Sequence, residues 1–334
     1  MILNYTLFKG KTFLITGATG LVGKCMIRKL IEIDEEYNLG LRIIAVGRNK
    51  KKFSDRFCDI PMKSKVEFLE HDIQNPLIVN ERVDYIVSMA SNTHPRLYST
   101  DPIGTEMTNI LGTYNLLELA SLNSGCRFLL ASSGDVYGDN IYNDDFIKEN
   151  DCGYIDCNSL RAGYIEGKRA SEALCNAFKE DKNVDFVIAR LCRIYGKDMQ
   201  LTDSKAISQF ILNAVKKNNI VLKSEGKPVF SYLIVDDAVS AILTILINGK
   251  SGDAYNVADN GSVISLKNLA MLIAKIAEVD VLNDIPDLIE SKGASTFMNV
   301  KLDGTKLKSL GWQAEFDLEK GLTKTINELR DLLC

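Results

Sequence analysis

Short runs of β-branched and apolar residues alternate with longer amphipathic segments through the first half of the chain. Lys11–Thr16 predicts a strand, and Leu21–Ile33 a helix whose apolar positions are Val22, Cys25, Met26, Leu30 and Ile33. Further strands are expected at Arg42–Val46, Val66–Leu69, Tyr85–Met89, Arg127–Ser132 and Phe186–Arg190, with helices clearest at Thr105–Leu122 and Tyr164–Lys179. Near-continuous apolar strands alternating with helices imply a parallel sheet covered on both faces. The fold class is therefore α/β, a doubly wound sheet that binds ligands beyond the carboxyl ends of its strands.

After Gly196 the rhythm changes. Helices are expected at Ser204–Lys217, Asp236–Ile247, Ser265–Ala277 and Leu318–Leu333, with extended segments at Val229–Val235 and Ala254–Val257. This divides the chain into a dinucleotide-binding domain, residues 1–192 with a return segment at about 233–258, and a smaller C-terminal substrate-binding lobe, residues 193–232 and 259–334. No repeat or biased segment marks a free linker.

Composition narrows the function classes. The 334 residues carry 40 Lys plus Arg against 44 Asp plus Glu, a net charge of −4, which gives no electrostatic footprint for nucleic acid or an anionic membrane. The N-terminal MILNYTLFKGKTFLITG lacks the basic and small-residue regions of a signal peptide. The longest apolar run, near Ala238–Ile247, is about half of what a bilayer span needs. Eight scattered cysteines without a CxxC pair point to reduced thiols and a cytoplasmic protein. Cys152 and Cys157, with only His71 and His94, make a poor zinc set, so no metal is expected.

GATGLVG, Gly17 to Gly23, follows the first strand and opens the first helix. Gly17 permits the tight turn, Gly20 the close approach to a pyrophosphate, and Gly23 the packing of helix on strand. The helix N-terminus offers amides and partial positive charge to the phosphates. Thr19, Leu21 and Val22 in the same turn, Asp72 and Ile73 after the third strand, and Ala90 after the fourth complete the cofactor-binding set. The second strand ends Val46-Gly47-Arg48-Asn49, followed by Lys50, Lys51 and Lys52. The acidic residue that would bind an adenosine ribose is missing there, and Arg48 suits a 2′-phosphate. A solvated basic loop fits the same run of charge, so NAD and NADP both stay open.

Ser132-Ser133-Gly134-Asp135-Val136-Tyr137-Gly138 follows a buried strand, and Tyr164-Ile165-Glu166-Gly167-Lys168 opens a helix. Tyr164 and Lys168 share one helix face a turn apart. A phenol is a poor base at neutral pH unless a cation stabilises its phenolate, and Lys168 is spaced to do so. A serine hydroxyl at the same point is placed to share the substrate proton.

With GATGLVG, SSGDVYG, YIEGKRASE, NILGTYNLLELA (Asn109–Ala120) and LGW (Leu310–Trp312), the chain resembles extended short-chain dehydrogenases/reductases of the nucleotide-sugar epimerase/dehydratase family, which share a Rossmann fold. The resemblance spans nearly the whole length. It implies a nucleotide-sugar substrate, a tightly held NAD, and transient oxidation of the sugar at C4. It also implies that Ser133, Tyr164 and Lys168 are catalytic. RAGYIEGKRASE and ARLCRIYGKDMQLTDSKAISQFI are most similar to the UDP-glucuronate decarboxylase branch, in which Asp135 stands where a catalytic glutamate is usual. Gly134 removes one member of the carboxylate pair that a 4,6-dehydratase needs. Epimerisation and decarboxylation remain as outcomes, with a non-catalytic dinucleotide-sensing or scaffold protein as the alternative.

Three departures bear on substrate binding. Where decarboxylases hold the sugar carboxylate with an arginine, near Met298–Lys301, only Lys301 is available. The family's phosphate-binding arginine aligns with Phe230, and its usual asparagine is replaced by Arg193. Arg193 is thus expected to supply the diphosphate contact that Phe230 cannot. His94, beside the nicotinamide end, is either an acid/base and sugar ligand or a loop residue next to Pro95. Trp312 is expected to anchor the smaller lobe. Relatives often pair through two helices per subunit, so a homodimer through Thr105–Leu122 and Tyr164–Lys179 is expected.

Overall fold

The computed structural model describes residues 3–60, 65–93, 98, 100–139, 145–284 and 298–333. Its first elements alternate as the sequence predicts: β1 (Thr12–Thr16), α1 (Leu21–Tyr37), β2 (Arg42–Gly47), α2 (Lys50–Arg56), β3 (Val66–Glu70) and β4 (Tyr85–Ser88). Then come α3 (Pro102–Leu122), β5 (Arg127–Ser133), α4 (Ala162–Lys182), β6 (Asp185–Leu191) and the short β7 (Arg193–Tyr195). The chain continues through α5 (Ala206–Val215), β8 (Ile220–Leu222), β9 (Val229–Ile234), α6 (Val235–Asn248), β10 (Ala254–Val257), β11 (Val263–Ser265) and α7 (Leu266–Ala277). It ends with β12 (Val281–Asn283), β13 (Asn299–Val300), α8 (Thr305–Lys308) and α9 (Leu318–Leu333).

Seven strands form one parallel sheet in the order β10-β6-β5-β4-β1-β2-β3. All five residues of β1 are buried, and its pleat sends Phe13 and Ile15 to one face and Leu14 to the other. On the first face they pack with Met26, Ile27 and Leu30 of α1 and Val239 and Ile242 of α6. Leu14 packs with Leu116 and Leu117 of α3 and Cys175 and Phe178 of α4. Helices on both faces make this a Rossmann-like α/β fold. The order reverses between β1 and β4, and at such a switch point a crevice opens beyond the strand ends.

A second sheet joins β11, β9 and β13, with β7 paired to β9. Its core combines Phe210, Phe230, Tyr232, Leu269 and Leu322 with Tyr98 and Tyr164, so it packs against the mouth of the crevice.

Some boundaries differ from the periodicity for local reasons. Helix α1 runs four residues past Ile33, to Tyr37, because Asp34 is itself buried: its Oδ1 accepts the Leu41 N–H at 2.9 Å and its Oδ2 pairs with Lys65. Asn38, at φ +49, then ends the helix in the left-handed region. Helix α3 begins at Pro102, which follows the capping Asp101; that side chain accepts from the Gly104 N–H at 3.1 Å. Trp312 is buried, but not as an anchor of the smaller lobe. Its indole belongs to the core that includes Phe13, Ile27 and Ile242 and donates to Ser240 Oγ of α6 at 2.9 Å, so it ties the C-terminal region to α6 on the face of the large sheet.

Candidate active site

Gly17 has φ +68, and a Cβ there would lie 2.6 Å from the Met89 carbonyl at the end of β4. A Cβ on Gly23 would lie 2.3 Å from the Gly17 carbonyl. Both positions exclude any larger residue, and Gly20 caps α1 in extended backbone. The turn through Thr19, Leu21 and Val22 is therefore a cradle of bare backbone that fits a pyrophosphate. Thr16 Oγ1 accepts the Met89 and Ala90 N–H groups, both at 3.1 Å, which locks the end of β4 beside the turn. Across the sheet, Asp72 Oδ1 accepts the Gln74 N–H at 3.1 Å, while buried Ile73 offers its carbonyl to Asn115 Nδ2 at 2.9 Å. Arg48 leaves the end of β2 and is exposed.

At the end of β5 the chain makes a 3-10 turn over Gly134–Tyr137, capped by Ser133 Oγ, which accepts the Asp135 N–H at 3.1 Å. Tyr164, on the first turn of α4, is buried and hydrogen-bonds Ser133. Burial and the Asp135 charge push its phenol up to about 12; the Ser133 hydrogen bond and the charges of Arg161 and Arg193 pull the other way. Lys168, one turn on, donates to the Ala131 carbonyl at 2.7 Å. Burial lowers its ammonium to about 8, with Glu172 opposing. The fold thus brings Ser133, Asp135, Tyr164 and Lys168 together at the carboxyl end of a central strand.

Two partners were missed by sequence reasoning. Arg161, just before α4, is ion-paired with Asp135 and lies over the Tyr98 ring at 5.2 Å. Tyr98 in turn stacks on Tyr164 with centroids 4.9 Å apart. The signal for Arg161 was its place three residues before Tyr164; nothing in the local pattern marked Tyr98. A Cβ on Gly134 would lie 3.0 Å from a Leu302 methyl, so a side chain there would press on Leu302.

Behind the site, Ser132 Oγ donates to Glu172 Oε1 at 2.5 Å. Arg190 grips the same carboxylate at 3.1 and 2.7 Å and donates to Tyr137 Oη at 3.0 Å. Tyr137 passes the chain on to Asn256 Oδ1 at 2.6 Å, tying β5, α4, β6 and β10 into one buried network.

On the opposite wall, the Arg193 guanidinium lies 3.7 Å from the Phe230 ring centroid, where β7 pairs with β9. Lys301 follows β13, and its carbonyl accepts the Ile147 N–H at 2.7 Å. His94 and Pro95 lie outside the described residues. His71 holds the edge of β2 through its N–H on the Gly47 carbonyl at 2.9 Å.

A doubly wound sheet with a glycine cradle at its switch point and a Ser–Tyr–Lys set beyond the end of β5 defines a class of dinucleotide-dependent enzymes acting on alcohols. The model of the NAD dependent epimerase/dehydratase family matches residues 13–258, and the chain belongs to that family. It is 29% identical over 323 residues to UDP-glucuronic acid decarboxylase 1 of Xenopus tropicalis, covering 96% of this chain and 72% of the relative. Among solved structures, a dTDP-glucose 4,6-dehydratase from Streptomyces venezuelae with NAD bound superposes with TM-score 0.81 at 22% identity, over 96% of this chain and 97% of the other. A UDP-glucuronic acid 4-epimerase from Bacillus cereus, in complex with UDP-glucuronic acid and NAD, gives TM-score 0.80 at 17% identity, over 96% and 99%.

Proposed function

We propose that the chain modifies a nucleotide-linked sugar by transient oxidation at C4, with epimerisation or UDP-glucuronate-type decarboxylation as the outcome. The observation that carries this reading is buried Tyr164, hydrogen-bonded to Ser133 and followed one turn later by buried Lys168, beside the glycine cradle. The family's cofactor, NAD, supplies the hydride acceptor when bound. Gly17, Gly20 and Gly23 would hold its pyrophosphate, with Asp72, Ile73 and Ala90 toward the adenine and central parts of the groove.

Tyr164 Oη takes the proton of the sugar hydroxyl, and Ser133 Oγ orients that hydroxyl. Lys168, one helical turn from Tyr164, would supply positive charge on the phenol's side of the helix and would hold the nicotinamide ribose when the cofactor is bound. Arg161 neutralises Asp135, whose charge would otherwise hold the proton on Tyr164. Arg193, propped on Phe230, meets the diphosphate, and Lys301 and His94 serve the sugar. A C4 ketone makes a C6 carboxylate a β-keto acid, which is what allows carbon dioxide to leave.

Residues 193–232 and 259–334 act as the substrate-binding lobe over the dinucleotide-binding remainder. The protein is taken as a cytoplasmic homodimer. Free cysteines, three of them buried, support the compartment. Exposed Ile103, Leu111, Tyr114 and Leu122 on α3, which packs along α4, support the pairing.

A panel of nucleotide sugars including UDP-glucuronate, incubated with enzyme and trace NAD and followed by mass spectrometry, tests the reading. Loss of carbon dioxide marks a decarboxylase, and altered retention at unchanged mass an epimerase. No turnover of any sugar would sink the proposal.

A further inference from the structure

Residues 196–205, between β7 and α5, leave the second sheet and touch elements of the large sheet's side at three places. Toward the second sheet the hold is apolar: buried Met199 joins the core that includes Phe210, Phe230 and Leu322. Toward the large sheet it is charged. Asp198 Oδ2 and Oδ1 accept from the Arg28 guanidinium at 2.6 and 3.1 Å, and Oδ1 meets Lys24 Nζ at 3.0 Å. Both cations stand on α1, and Lys24 directly follows Gly23 of the glycine cradle. Arg56 of α2 donates from Nη2 to the Asp198 carbonyl at 2.5 Å. Two residues on, Gln200 Oε1 accepts from Lys52 Nζ, also of α2, at 3.5 Å. At the far end Lys205 Nζ lies 3.5 Å from Thr93 Oγ1, in the chain that follows β4.

Helix α1 follows β1, α2 follows β2, and Thr93 follows β4, so these contacts surround the switch point on three sides. The segment therefore crosses the crevice as a strap. Its two holds differ in kind. Met199 is part of a core, whereas Asp198, 5% exposed, is held by ion pairs. Burial works against its charge, yet Arg28 and then Lys24 keep the carboxyl below its ordinary pKa. Lys24 and Arg28 also share Asp59, at 2.9 and 3.5 Å. When the strap lifts, α1 keeps a carboxylate for its cations and Asp198 regains water, so neither side strands a buried charge.

Resting on the reading that the crevice holds a dinucleotide, we infer that residues 196–205 are a strap that Asp198 fastens to α1, retaining the dinucleotide between the two hydride transfers. A transient oxidation takes a hydride from the sugar and then gives it back. Loss of the cofactor between those steps would strand the ketone. Asp198 acts through the strap and is a positioning residue.

The full chain is loaded with NADH and chased with excess NAD, and the decay of bound-NADH fluorescence gives the release rate. Asp198→Asn should speed release by about tenfold and leave the association rate within about twofold. Arg28→Gln leaves Lys24 on Asp198 and should speed release by about threefold. That variant decides the matter should Asp198→Asn fail to fold. A lost packing contact alone would lower the unfolding midpoint and leave release unchanged. Folded variants that release NADH at the wild-type rate overturn the strap and leave the dinucleotide reading standing. A wild type that binds no NADH removes that reading and the strap with it.

Discussion

Beyond the end of β5 Arg161 is ion-paired with Asp135 and Lys168 holds the Ala131 carbonyl, whereas beyond the end of β2 Arg48 and Lys52 stand without a carboxylate partner among the described residues. In the first arrangement the charges are paired or hydrogen-bonded within the protein, which holds those side chains in place. The second leaves its charges exposed to solvent. Paired charges hold a site in place, and solvated ones do not.

The comparison is broken most severely at its catalytic end. Tyr164→Phe keeps the ring that stacks on Tyr98 but removes the hydroxyl on Ser133, so turnover of the sugar substrate should fall by about 10²–10⁴-fold. Dinucleotide binding should survive, since Gly17 to Gly23 is untouched. Titration of the variant beside the turnover assay checks both halves.

Next comes the framework behind the site. Glu172→Gln leaves Arg190 buried without its carboxylate, and side-chain exposures of 12% and 14% make this a desolvated pair. The cost should be about 3 kcal/mol in urea unfolding. Glu118→Gln breaks the solvent-facing pair with Lys182 and should cost less than about 1 kcal/mol. Equal costs would show that the buried network positions nothing.

The wall facing the site gives a smaller effect. Arg193→Ala removes the guanidinium propped on Phe230 and should weaken nucleotide-sugar affinity by about tenfold with dinucleotide affinity unchanged. Calorimetric titration with the sugar nucleotide separates the two.

What was legible in the sequence was local. The glycine spacing, the Tyr164–Lys168 turn and the apolar strands each lie within a few residues, where periodicity carries the information. Helix α2 was missed because KKKFSDR is seven residues with one buried position, too short to show a face. The ion pairs in and behind the site were hidden for another reason. Asp135 and Arg161 are 26 positions apart and Glu172 and Arg190 are 18 apart, so only the β5–α4–β6 topology brings them together. Trp312 was assigned to the wrong core because LGW says that it is buried and nothing about which sheet it meets.

The subtlest effect separates positioning from mere packing at Tyr164. A base must lose its own proton before it accepts another, so the rising limb of kcat/KM with pH follows the Tyr164 pKa. The charged groups acting on that phenol are Asp135, which raises it, and Arg161 and Arg193, which lower it. Asp135→Asn removes the raising charge and frees Arg161, so the limb should move to lower pH even as the rate falls. Arg161→Gln removes a lowering charge and leaves Asp135 unneutralised, so the limb should move to higher pH. Arg161→Lys keeps the charge and should bring the limb back toward the wild type. If both charge-removing substitutions changed the rate and neither moved the limb, the ion pair would be holding the turn together rather than setting the proton affinity of Tyr164.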